Sequence, residues 1–123
     1  MIRIDPDVFT YQPDLDMSNE RFAVTGVQDT TVVVAALRQT SARFMLVDET
    51  GVEHVRGEAL ESGELYSPNY VSDPEITSRG IEVYVDCKGA IGDAMADKLR
   101  EILVEELSAV GYAGTVSAVT HPD

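Results

Sequence analysis

The stretch "IEVYVDCKGAIGDAMADKLREILVEELSAVGYAGTVSAVT", residues 81–120, decides the fold, because its two ends read as strands and its middle as a helix. The helical pattern runs over residues 90–110, and Gly111 is the residue type that ends helices in a left-handed conformation. A strand, a crossover of about twenty residues and a second strand form a right-handed βαβ unit if both strands share a sheet. The alternate residues that share one face of the first strand are apolar: Ile81, Val83, Val85 and Cys87.

The predicted helix has two faces of opposite character when its residues are placed about 100° apart. Its apolar face consists of Ile91, Met95, Leu99, Ile102, Leu103 and Val110. Its opposite face consists of four acids spaced four residues apart, which we call the acidic stripe: Asp93, Asp97, Glu101 and Glu105. Lys98 and Arg100 flank the stripe without interrupting it. Such a stripe is either an ordinary solvated face or a ridge that binds a basic partner.

Glu106 breaks the helical pattern, because its phase places it in the middle of the apolar face. Either the end of the helix projects past the core, or the carboxylate pairs with an arginine such as Arg43 or Arg56. We expect the first arrangement, because acidic side chains are rarely buried.

Cys87, the only cysteine, shares the inward face of its strand and is expected to be an unreactive core thiol. A catalytic thiol would need a base, and the only histidines are His54 and His121. Gly89 and Gly92 form a G-x-x-G loop that we interpret as a tight turn, since its acidic neighbours would repel a phosphate. The alternative is a small enzyme or a small-ligand regulatory domain with a site near Cys87 and Gly89.

Residues 21–58 are rich in β-branched and alternating segments, and "DETG" (48–51) is typical of a turn between two strands. Residues 29–41 remain ambiguous. They could form a helix capped by Asp29, but three consecutive valines lose rotamer freedom in a helix, and we therefore favour a strand.

Residues 1–19 are polar and interrupted by prolines, and they are interpreted as an extended arm. The acids of this arm do not fit a calcium loop that starts at Asp14, because Asn19 and Thr25 stand where glycine and glutamate are required. We therefore expect neither a metal nor a cofactor.

Residues 59–80 form a long loop with two prolines and two glycines, and long loops in compact domains often carry function. Tyr66 and Tyr70 in this loop are candidate contact residues for a partner, because tyrosine offers a large amphipathic surface. The alternative is that both rings fold back over the sheet.

The overall charge narrows the class of partner. The chain has 22 acidic and 9 basic residues, a formal net charge of −13. Such a charge repels nucleic acid and anionic membranes and favours basic partners, although an organism-wide acidic composition would produce it as well. With one cysteine, no signal-peptide pattern and no apolar run of roughly 18 residues, we expect a cytoplasmic protein without a membrane segment.

We therefore predict a single α+β domain over residues 1–123, with a mainly antiparallel sheet and a long C-terminal helix packed on one face. A ferredoxin-like βαββαβ arrangement is the leading topology, and it requires residues 29–41 to be the other helix. The predicted function is a non-catalytic protein-binding module (adaptor, inhibitor or immunity-type protein) with a basic protein partner, and self-association is an open alternative. The residues predicted to contact the partner are Asp93, Asp97, Glu101, Glu105, Tyr66 and Tyr70.

Overall fold

The computed structural model describes residues 1–6, 8–9, 11–12, 17–18, 21–60, 63–65, 69–86 and 93–119. The strands in these ranges are β1 (Arg3–Ile4), β2 (Tyr11–Gln12), β3 (Met17–Ser18), β4 (Arg21–Val24), β5 (Tyr70–Val71), β6 (Glu75–Thr77), β7 (Gly80–Asp86) and β8 (Thr115–Ala118). The helices are α1 (Thr30–Phe44) and α2 (Asp93–Ala109).

Six of the strands form one mixed sheet in the order β1-β8-β4-β7-β5, with β6 also paired to β7. All neighbours in this sheet are antiparallel except β1 and β8, which are parallel. The strands β7 and β8 that flank α2 lie in the same sheet, separated by β4. β2 and β3 pair separately. The predicted α+β class is confirmed.

Both helices pack on one face of this sheet. On each central strand, every second residue faces the helices. Phe22, Val24 and Val83 are examples, and they belong to one core cluster with the buried sides of α1 and α2. The sheet is therefore covered by two helices of 15 and 17 residues, of which α2 is the C-terminal one. Neither helix in the described part of the chain is long and apolar enough to cross a membrane.

The strand favoured for residues 29–41 is wrong, because these residues belong to α1. The Asp29 side chain caps the helix by accepting a hydrogen bond from the Val32 backbone N–H at 3.4 Å. The helix interior costs β-branched residues only a few tenths of a kcal/mol each, and the burial of a whole face outweighs that cost. The buried residues recur at helical spacing: Val33, Ala36, Leu37, Thr40 and Phe44.

The strands expected on either side of the "DETG" turn are reduced to one β-bridge between Val47 and Glu53. The turn itself is present, with Gly51 at φ +81° and its N–H donating to the Asp48 carbonyl. The predicted loop over residues 59–80 is also partly wrong, because it contains β5 and β6.

The predicted N-terminal arm is anchored to the domain. β1 pairs with β8, and Val8 and Phe9 are buried in the core cluster. The Phe9 ring meets the Phe22 ring edge-on at 5.4 Å, and Arg100 donates to the Val8 carbonyl oxygen at 2.8 Å. Val8 and Phe9 thus belong to the core although they lie in a polar segment.

Helix α2 ends where Gly111 predicted that it would. Gly111 has φ +79° and donates to the Ser108 carbonyl, while Tyr112 donates to the Leu107 carbonyl. This paired arrangement is a Schellman motif, and the burial of Leu107 and Tyr112 completes it.

Candidate functional site

The acidic stripe lies on the solvent side of α2. Its four residues are exposed, with 79% of the Asp97 side chain, 57% of the Glu101 side chain and 47% of the Glu105 side chain accessible. The helix buries its opposite side in the core, which holds these carboxylates on a rigid scaffold. Five acids and two bases lie within α2, so the helix carries an excess of three negative charges.

Three of the four carboxylates already contact a cation. Arg100 contacts Asp97 at 2.9 Å and Lys98 contacts Glu101 at 3.2 Å, both one helical turn apart. Arg43 of α1 contacts Glu105 at 3.1 Å. Lys98 and Arg100 flank the stripe in the helical pattern, and both pair with it. The cations fold back onto the stripe and offset part of the repulsion between its acids.

Val104 lies in the stripe and is 40% exposed. At about 100° per residue its phase falls between those of Asp97 and Arg100, on the exposed side of the helix. The surface of α2 therefore offers an exposed apolar side chain beside charged ones, and protein interfaces likewise combine an apolar centre with a polar rim.

Beside the stripe, one arginine binds three carboxylates in an arrangement that we call the Arg43 cluster. The guanidinium of Arg43 contacts Glu53 with two nitrogens at 2.8 Å, Glu106 at 2.8 Å and Glu105 at 3.1 Å. The hydrogen bonds to Glu53 are the largest of the effects that raise the pKa of Arg43. In return, the bond from Arg43 lowers the pKa of Glu53. The cluster joins α1, the segment after it and α2.

The Arg43 cluster decides between the two positions weighed for Glu106. The arrangement that we expected, a helix end projecting past the core, is wrong, since Leu107 beyond it is fully buried. Glu106 pairs with Arg43, as the alternative proposed. A carboxylate in phase with an apolar face is thus accommodated by a cation from the neighbouring helix.

A second polar group lies in the turn after α1. The Asp48 carboxylate accepts hydrogen bonds from the Thr50 hydroxyl and from the backbone N–H groups of Thr50 and Val52, and lies 2.6 Å from Nε2 of His54. Burial alone would raise the pKa of Asp48, but these bonds lower it to about 2. The turn touches the start of α2, because a Cβ on Gly51 would lie 2.6 Å from the Ala94 carbonyl oxygen. The sequence identified the turn and the histidine, but not their contact.

A third polar group, which the sequence did not reveal, lies on the face of the sheet away from the helices. Glu82 of β7 is only 4% exposed and accepts a hydrogen bond from the Thr77 hydroxyl. Arg21 and Arg79 approach its carboxylate at 3.7 Å and 3.8 Å. Alternation along the strand predicts that Glu82 faces away from Ile81 and Val83, but it does not predict burial of the carboxylate.

The remaining predicted site residues are only partly described. Tyr70 is the first residue of β5, and the structure describes its backbone but not its side chain. Tyr66, Cys87 and Gly89 lie outside the described residues. Among the described residues, no group of three or more histidine, cysteine or acidic side chains is placed to hold a metal ion.

Comparison with known proteins returned no match to a protein-family model, to a curated protein or to a solved structure. The function is therefore argued from the surfaces described above.

Proposed function

We propose that this protein is a non-catalytic cytoplasmic protein-binding module that presents the acidic stripe of α2 to a basic partner. The observation that carries the proposal is the exposure of four carboxylates on one side of a helix whose other side is buried. A rigid, charged surface favours encounter with a partner of opposite charge, and Val104 adds a contact that can be desolvated on binding.

The ion pairs within the stripe refine this proposal. Each of the pairs at Asp97 and Glu101 joins residues three apart on one helix, where such contacts contribute about 0.2–0.5 kcal/mol. A partner cation can therefore replace Lys98 or Arg100 at small cost. The excess of three negative charges on α2 remains to attract it.

The proposal is tested by replacing Asp97 with Asn and Glu101 with Gln together, in a protein used to isolate partners from its native host. We expect the association rate of a captured partner to fall about threefold to tenfold at low salt, with a smaller change at high salt. The matched control is Glu49→Gln with Glu58→Gln, which changes the net charge equally at exposed positions outside α2. Equal effects of the two double variants would show that only net charge matters.

We also infer that the framework is ferredoxin-like. The support is the order β8-β4-β7 with β5 and β6 beyond β7, antiparallel at each contact, and a helix after β4 and after β7. β1 adds a strand outside this arrangement.

A second candidate function, a small enzyme using Cys87, is favoured by the contact between His54 and Asp48. A carboxylate that holds an imidazole is how many nucleophilic enzymes orient their base. The turn that carries this pair touches the first turn of α2, and β7 ends one residue before Cys87. A nucleophilic thiol at Cys87 would require a base of this kind.

Alkylation of the single thiol distinguishes the two functions. A core thiol should react slowly in the native state and rapidly in denaturant, and His54→Gln should leave both rates unchanged. Rapid native alkylation below about pH 8.5, slowed by His54→Gln, would instead support the enzyme.

A further inference from the structure

The strand β6 lies at an edge of the sheet, since its only partner among the described strands is β7. Hydrogen-bonded and non-hydrogen-bonded pairs alternate along an antiparallel ladder. The backbone groups of Ile76 and those of its two neighbours therefore point to opposite sides of the strand. One of these sides faces β7 and the other is the open edge, where an added strand could pair.

Ile76 is an apolar side chain that this fold does not cover. It stands directly opposite Ile81 of β7, and directly opposite residues share one face of a sheet. Ile81 is 2% exposed, whereas Ile76 is 70% exposed. A strand added beside β6 would place a side chain next to Ile76 on that face.

The charge along this edge indicates the chemistry of such a strand. Glu75 is exposed and stands opposite Glu82, and Asp73 is 89% exposed, with the nearest guanidinium, that of Arg38, 3.9 Å away. Like charges on neighbouring strands are unfavourable, whereas a lysine or arginine beside Glu75 is favourable. The edge therefore fits a segment with basic residues on the Glu75 face and apolar residues on the Ile76 face.

A second copy of this chain does not fit the edge. Each copy carries a net charge of −13, so two acidic edges would approach against a repulsive field. Pro74, directly before β6, has no backbone N–H and confines pairing with any added strand to the residues of β6.

From these observations we propose that the edge strand β6, residues 75–77, binds an extended segment of a basic protein partner as an added strand. This inference rests on the proposed protein-binding function and names a second contact surface for it. The bound segment alternates basic and apolar residues, because the two faces of β6 alternate in the same way.

The test uses two synthetic peptides of seven residues that alternate lysine and valine, with blocked ends. One has ordinary amides, and the other is N-methylated at every amide, which preserves charge and side chains but removes all backbone donors. Binding is followed through the amide resonances of the ¹⁵N-labelled protein. We expect the first peptide to shift the amide resonances of residues 75–77 and to protect from exchange only the amides that point to the open edge, and the second to bind about tenfold more weakly or not at all.

Equal binding of both peptides, shifts confined to α2, or no binding at millimolar concentration would each overturn the inference. The variant Ile76→Thr, which keeps a β-branched residue at an exposed position, should weaken the first peptide. Unchanged affinity of this variant would also contradict the inference.

The affinity of a captured partner for two variants distinguishes this inference from the function on which it rests. Loss of partner affinity on Ile76→Thr and also on the α2 double variant would support both. Loss on the α2 double variant alone would overturn the edge inference and leave the proposed function intact. Retention by both variants would overturn both.

Discussion

Two polar clusters in this molecule have opposite charge arrangements. In the Arg43 cluster, one cation contacts three carboxylates at 2.8–3.1 Å. On the outer face of the sheet, the single carboxylate of Glu82 lies between Arg21 and Arg79 at 3.7 Å and 3.8 Å. Glu82 is the more deeply buried of the two central groups, with 4% of its side chain exposed against 21% for Arg43.

The geometry, rather than the burial, decides how much each cluster contributes. The planar fork of Arg43 meets both oxygens of Glu53, which is the strongest form of a charged hydrogen bond. The guanidinium groups near Glu82 lie beyond hydrogen-bond distance and are half-exposed, so water competes for them. We therefore expect the Arg43 cluster to stabilise the fold more strongly, although Glu82 is better buried.

The largest effect is expected from Arg43→Met, which removes the cation and keeps a side chain of similar reach. It leaves three carboxylates together without their shared donor, and we expect the free energy of unfolding to fall by about 2 kcal/mol. Arg43→Lys keeps the charge but not the planar guanidinium, and its free energy of unfolding should fall by about half as much. Urea unfolding at pH 7 measures both variants, and equal stability of Arg43→Met and the parent protein would refute the ranking.

Acid should weaken the Arg43 cluster selectively. The pKa of Glu53 is lowered from its ordinary value of 4.5, so its contribution is complete above about pH 4.5 and is lost as the pH falls below it. We expect the parent protein to lose more of its unfolding free energy than Arg43→Met between pH 6 and pH 3. Asp48, whose pKa is lowered to about 2, contributes equally to both proteins and does not affect the difference. Parallel curves of unfolding free energy against pH would contradict this prediction.

Much of the fold followed from local patterns in the sequence. The alternation in residues 81–87, the helical period after it and Gly111 predicted β7, α2 and its end, because each signal is local and agrees with the tertiary structure. The strand favoured for residues 29–41 was wrong because three valines dominated the interpretation, whereas the cap at Asp29 and the spacing of Val33 and Leu37 indicated a helix.

The polar clusters were less predictable than the elements that carry them. The helical phase of Glu106 showed that it needed a partner, and Arg43 was one of two arginines considered. Glu53, which forms the best contact of the cluster, gave no such signal, because it follows a turn in a segment where only a β-bridge with Val47 forms. The burial of Glu82 likewise depends on residues from two other parts of the chain, and spacing along one strand cannot reveal them.

A matched pair of substitutions, one in each cluster, tests the same comparison through a smaller change in unfolding free energy. Glu106→Gln and Glu82→Gln each remove one charge and keep the size of the side chain. Glu106→Gln weakens a 2.8 Å charged bond and should cost about 1 kcal/mol. Glu82→Gln should cost less than about 0.5 kcal/mol, because Thr77 can still donate to the amide oxygen and the repulsion with Glu75 is removed. A larger cost for Glu82→Gln would reverse the ranking of the two clusters.

The smallest effect is expected at Arg79, whose side chain is 54% exposed and 3.8 Å from Glu82. Exposed pairs at such distances contribute between zero and about 1 kcal/mol, and Arg79→Met should change the unfolding free energy by only about 0.3 kcal/mol. Arg21→Met should cost slightly more, because Arg21 also lies over the ring of Tyr84 at 5.6 Å. A double-mutant cycle of Arg79→Met with Glu82→Gln isolates the pair, and we expect a coupling near zero that does not respond to salt. A coupling above about 1 kcal/mol would mean that a loosely placed cation can stabilise a buried carboxylate as well as a hydrogen-bonded one, and geometry would then not explain the difference between the clusters.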